Sequence, residues 1–260
     1  MNLTFEKNSG EILQFAGYVF IAGRDSTKDP RDNAVTVLDG DLSSAGTTAT
    51  VKTTLGMPST GTAFIGDNPG TESFTITSKT ETLKALYGTR ASSPSAHTTE
   101  EMILYKGTSG YSRFMPFGFI ESMSINPGMK AKGRIYDFNG KVRGSSTELA
   151  EPTFKITGLQ SGLMERALLF ARDVDTTDYN GMKRMSTTAL EDFAFLILTE
   201  EKNLDDGTFK YGLIRIPWAQ LSTTGELPFT SEVKKLEYTF NLNHDMLVGD
   251  YIVIDMEVEA

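Results

Sequence analysis

The sequence predicts a mainly β protein with one or two short flanking helices and long loops. Two observations carry this. Near the C-terminus, Leu236, Tyr238, Phe240 and Leu242 alternate with Glu237, Thr239 and Asn241. That period of two marks a strand with one buried and one wet face. Elsewhere, short apolar runs are separated by Gly, Asp, Asn and Pro, the residues that punctuate strands.

The strands follow in chain order. In the N-terminal half, segments 15–22, 34–38, 73–77 and 102–105 are short and apolar. Segment 114–120 is an aromatic cluster around Pro116 and Gly118, read as a strand with a bulge. Segments 193–199 and 209–216 flank a turn-rich stretch that holds Asp205, Asp206 and Gly207. Leu190, Phe193, Ala194 and Ile197 also fit helical spacing, but the segment is short and aromatic-rich, which favours strand. Pro217 lacks an N–H, so it is expected to stop the second strand or place it on an edge. Ile252, Ile254, Met256 and Val258 alternate again, and 244–250 is expected to join them to 236–242 as an antiparallel pair.

One helix is signalled at 78–88. Ser78 and Glu81 have capping-box spacing, Leu83, Leu86 and Tyr87 form a stripe, and Gly88 stands at the C-terminal cap position. A second helix is possible at 159–172, where Leu163, Ala167 and Phe170 share a face and Gly158 and Gly162 weaken it. Two long loops are expected. Segment 43–61 is rich in Ser, Thr and Gly, with few large apolar residues. Segment 126–151 carries Pro127, several glycines and a basic cluster of Lys130, Lys132, Arg134, Lys141 and Arg143. Loops of such length inside a compact fold are usually functional or disordered.

The 260 residues suffice for a substantial core and are read as one β-rich domain, 1–260. There is no cysteine, which excludes disulfides, thiolate metal sites and cysteine nucleophiles. A net charge of −9 opposes tight binding to nucleic acid or anionic lipid. The longest apolar run, 193–198, is far shorter than the ~20 residues a membrane helix needs. Segment 15–22 follows Glu6 and Glu11 in place of a basic region, so it is not read as a signal peptide.

Motifs for chemistry are missing, and no catalytic, cofactor or metal residue is assigned. His97 and His244 lie far apart and read as loop histidines. Neither phosphate-binding glycine motif is present, nor is a G-x-S-x-G elbow. Asp173, Asp175 and Asp178, followed by Gly181, have the flavour of a calcium loop but depart from it in the third ligand and lack the terminal Glu. Trp218, between Pro217 and Ala219, is expected to pack in a core or interface. The cluster Lys130–Arg143 suits either contact with nucleic acid, for which no recognition fold is apparent, or a salt-bridged contact with an acidic patch on a neighbouring subunit.

The C-terminal third carries a resemblance. It consists of the apolar strand 193–198, Asp205-Asp206-Gly207, Phe209-Lys210-Tyr211-Gly212-Leu213-Ile214, and a charged-then-alternating strand from Ser231 to Phe240. This run resembles the closing sheet of the major tail-tube proteins of tailed bacteriophages. The Ser/Thr-rich segment 43–61 and the short capped helix expected after Ser78 also suit that family. The resemblance covers roughly the last seventy residues in style and contains no signature motif. It implies a β-sandwich or barrel flanked by a helix, with subunits forming rings, usually hexameric, that stack into a tube. DNA would pass through the lumen without specific binding, and the partners would be further copies and other tail proteins such as sheath, baseplate or terminator. The location implied is the virion tail, assembled in the host cytoplasm without a membrane anchor or cofactor. Segments 43–61 and 126–151 would be the assembly loops. The alternative is a carbohydrate-binding β module or a glycoside-acting enzyme, because two carboxylates suffice for glycoside hydrolysis and thirty-four acids supply many pairs.

Overall fold

The computed structural model describes residues 13–66, 72–91, 94–112, 114–117, 120–126, 128–136, 142–149, 151–158, 192–203, 209–224 and 236–256. Sixteen strands run through them: β1 (Leu13–Gly23), β2 (Asn33–Val37), β3 (Thr48–Thr50), β4 (Gly61–Ile65), β5 (Glu72–Thr80), β6 (Ala85–Arg90), β7 (Met102–Lys106), β8 (Met115–Pro116), β9 (Ile120–Asn126), β10 (Met129–Tyr136), β11 (Val142–Leu149), β12 (Thr153–Gly158), β13 (Asp192–Asn203), β14 (Phe209–Thr224), β15 (Leu236–Leu242) and β16 (Val253–Met256). A single 3-10 turn, Pro30–Asp32, precedes β2. The chain is mainly β, with antiparallel sheets of sandwich and barrel type, as the sequence predicts.

The larger sheet has the order β8-β1-β13-β14-β15-β12-β9, with β16 also on β14. It curls until β1, the strand beside the short end strand β8, approaches β9 at the other end, with Gly17 of β1 lying against Met123 of β9. Phe117, Phe154, Phe193, Phe195, Phe240 and Tyr238 fill the concave side. Their rings meet largely edge to face, as Phe195 and Phe240 do at 4.9 Å between centroids. The smaller sheet has the order β2-β7-β4-β5-β6-β3. Its outer strands meet as well: Asp39 N–H donates to Thr50 O and Lys52 N–H to Val37 O. Joining the ends in this way removes open sheet edges, which otherwise invite aggregation.

Strand β13 explains why 193–198 is continuously apolar. Phe193, Phe195 and Ile197 point into the curled sheet. Ala194, Leu196 and Leu198 point the other way, into the core shared with the smaller sheet. A strand covered on both faces loses the alternating pattern and reads as an unbroken run.

Several expectations are corrected. The helix expected at 78–88 is a hairpin, β5 to β6, in which Ser78 opposes Tyr87. Non-local pairing within the sheet overrides the local capping signal, and Leu83 sits 64% exposed in the turn. Gly88 serves a different purpose from a cap, because a Cβ there would run into the carbonyl oxygen of Thr75 on β5. The second expected helix, 159–172, lies outside the described residues.

Pro217 neither ends its strand nor sits at an edge. β14 runs sixteen residues straight past it between β13 and β15. Phe195 pairs with Ile216 and Phe193 with Ala219, so β14 carries one extra residue at Pro217–Trp218. This is a bulge, where no ladder N–H is required. It also shifts the phase: Ile214 and Ile216 face inward before it, Ala219 and Leu221 after it. β15 and β16 do not pair with each other. Both pair with β14, β16 along 212–215 and β15 along 219–224, so they lie in tandem on one side of it.

Segment 43–61 is anchored, because Ala49, Val51 and Met57 are fully buried and β3 joins the smaller sheet. Small residues reach the core here through backbone pairing, not through side-chain bulk. Segment 126–151 holds β10 and β11, an antiparallel pair apart from both larger sheets.

Candidate functional site

Three features stand out from the scaffold. The first is the β10–β11 arm. β9 and β12 are paired up to Asn126 opposite Thr153, and the chain then continues as β10 opposite β11. Gly128, at φ +74°, makes the bend between the two ladders, a backbone region that favours glycine. Each arm strand has eight residues, a reach of about 26 Å at the usual strand rise. Among its described residues Lys130, Lys132, Arg134 and Arg143 stand against a single acid, Glu148, which opposes Lys130; Asp137 lies outside them. The arm is thus basic on an acidic chain. Lys141, the remaining member of the cluster, lies outside the described residues.

A cluster of buried charges is the second feature. Glu72 on β5 is paired with Arg90 on β6 and accepts from the Ser95 N–H at 2.8 Å. His97, expected as a loop histidine, is buried, with Nδ1 2.7 Å from Glu101 and Nε2 3.1 Å from Glu72. Burial pushes the Glu72 carboxyl up, but the bonds from Ser95, His97 and Arg90 outweigh it and hold the group below the usual carboxylate range. Glu101 is held low in the same way, against its burial, by the Thr98 and His97 contacts. Each carboxylate is already committed to protein donors, so the cluster ties 94–101 to the smaller sheet. Among the described residues no group of His, Asp and Glu is arranged to hold a metal. Asp173, Asp175 and Asp178 lie outside them.

Further polar contacts join the two sheets and brace the larger one. Lys52 reaches Glu200 of β13 at 3.4 Å. Arg215 of β14 donates to the Asn33 carbonyl oxygen at 3.1 Å and pairs with Asp255 of β16. Asp245 accepts from Arg24 at 3.0 Å and from the N–H groups of Leu247 and Val248, which shapes the loop between β15 and β16.

The third feature is a polar cleft of about 370 Å³, lined by Glu151, Pro152, Gln220, Asn241, Leu242, Asn243, His244 and Tyr251. It lies on the convex side of the curled sheet, where Gln220 and Asn241 are directly opposed on β14 and β15. His244, the second loop histidine, is exposed as expected, its ring 5.3 Å from that of Tyr251. Trp218 is half-buried nearby. Its indole N–H donates to Asp192 at 3.0 Å, and the Arg24 guanidinium lies 4.1 Å above its ring. The sequence held no motif for this cleft. Its residues come from three distant segments, and only their register brings them together.

No protein-family model and no curated protein matches the sequence. Among the described residues no helix is long and apolar enough to cross a membrane.

Proposed function

We propose that this chain is a self-assembling structural subunit, of the kind that forms stacked rings in a phage tail tube. The observation that carries the reading is the β10–β11 arm. It continues past the sheet that roots it, pairs with no other strand among the described residues, and is basic on an acidic chain. A paired ribbon of this length suits a contact with another body, and opposite charge favours an acidic surface on the next copy. Head-to-tail contacts of this type close into rings or extend into filaments.

The curled sheet supports a division of labour in the same reading. Its concave side is packed with aromatic rings, so among the described residues the curl encloses side chains and not a channel. A conduit would have to be enclosed by several copies. Hexameric symmetry, passage of DNA, and contacts with sheath, baseplate or terminator proteins follow from the family resemblance.

The test is to replace 129–149 with a short turn and compare sedimentation with the intact chain. Intact protein is expected to sediment as assemblies that weaken with salt. The shortened protein should remain monomeric with an unchanged melting profile. Equal assembly by both would refute the role of the arm.

A further inference from the structure

We infer that the cleft between β14, β15 and the 243–252 loop is a binding site for a neutral oligosaccharide. The inference does not rest on assembly.

The side chains of Gln220, Asn241 and Asn243 line the cleft half-buried and make no hydrogen bond to the described residues. Each amide offers both donors and acceptors. Polar groups held partly out of water without partners are suited to a polar ligand or ordered water. Glu151 adds a carboxylate, an acceptor that two neighbouring hydroxyls can share. Hydroxyl groups, which donate and accept at once, match this set. An apolar ligand does not, since it would leave the amides unmet.

Register supplies the second observation. Asp192, Gln220, Asn241, Thr153 and Asn126 form one continuous rung across β13, β14, β15, β12 and β9. Adjacent strands stand about 4.8 Å apart, a spacing comparable to one pyranose ring. A row of polar groups at that interval fits a chain of sugar units lying across the strands.

Aromatic and charge features complete the case. Tyr251 is 40% exposed at the cleft, braced edge to face by His244. A ring held in this way presents an apolar face to the C–H side of a pyranose, while its hydroxyl stays wet. Glu151 lines the cleft and Asp192 ends the row, and among the described residues that line the cleft there is no Lys or Arg. Polyanionic glycans and nucleic acids are therefore disfavoured, and neutral ones preferred.

The experiment is saturation-transfer NMR on the intact chain with cellotetraose, maltotetraose and chitotetraose as probes. A heparin tetrasaccharide and a blocked tetraglycine serve as comparators. Transfer to at least one neutral tetrasaccharide is expected. Asn241→Ala and Tyr251→Ala should each weaken it about tenfold or more. Gln220→Glu, which keeps the shape but removes donors, should weaken it as well. Gln220 and Asn241 are on the surface side of the sheet and Tyr251 is in the exposed loop before β16, and a melting curve matching the parent shows that each variant folds. No transfer to any neutral probe overturns the inference. So does transfer that is undiminished in all three variants, or stronger transfer to the tetraglycine or the heparin fragment.

Discussion

The methyl end of Met123 on β9 stands where a Cβ on Gly17 of β1 would be. β9 is one end of the curled sheet and β1 lies next to β8 at the other, so this contact is where the curl brings the two sides together. A Cβ at Gly17 would also lie 3.2 Å from the Leu198 carbonyl oxygen, which is backbone and cannot swing aside. Gly17→Val is expected to destabilise the fold by about 1–3 kcal/mol. Gly17→Ala should cost less in a Met123→Ala background than alone. Denaturant midpoints of the four proteins form the double-mutant cycle that measures this coupling.

The aromatic packing inside the curl gives a second expectation. Phe240 contacts Phe154, Phe193 and Phe195, and is fully buried. Phe240→Ala should cost about 3–5 kcal/mol in equilibrium unfolding, whereas Phe240→Leu should cost much less.

Gly88 separates a hairpin from a helix end. Its Cβ would meet the Thr75 backbone, and its φ is not in the left-handed region. Gly88→Ala and Gly88→Asn should therefore destabilise the protein alike, by about 1–3 kcal/mol in denaturant melts. A left-handed helix cap would instead tolerate Asn well.

Acid should loosen the segment that His97 anchors. Glu72 and Glu101 have folded-state carboxyls held below their ordinary value of 4.5. A depressed carboxyl stabilises the fold above its unfolded pKa, and that contribution is lost as pH falls through the folded one. Below pH 4.5 the amides of Leu42 and His97, which bond to each other's carbonyls, should exchange faster with solvent. Glu72→Gln should flatten this pH dependence while lowering stability at neutral pH.

Much of the fold was legible because the strands alternate or run apolar. Leu236–Leu242 is β15 as its period requires. Leu13–Gly23 and Met102–Lys106 are β1 and β7, close to the expected 15–22 and 102–105. What misled were local signals that tertiary pairing overrode. Ser78, Glu81 and Gly88 spell a capped helix, yet each side of that segment had a neighbouring strand to pair with. Pro217 spells a stop, but the bulge at Trp218 absorbs it. The arm was hidden for a different reason: Met129, Ala131 and Ile135 do alternate with Lys130, Lys132 and Arg134, but Pro127, the glycines and the charge density of 126–151 spell a loop. Cleft and charge cluster were illegible, since Glu72 with His97 and Gln220 with Asn241 meet only through the register of distant strands.

The central claim is that this chain builds a larger structure from copies of itself. Negative-stain electron microscopy of the purified protein, across a range of concentration and salt, tests it most directly. Rings or hollow tubes of uniform width are the expected result, and they should vanish when 129–149 is replaced by a turn. Dispersed monomers under every condition would contradict the claim.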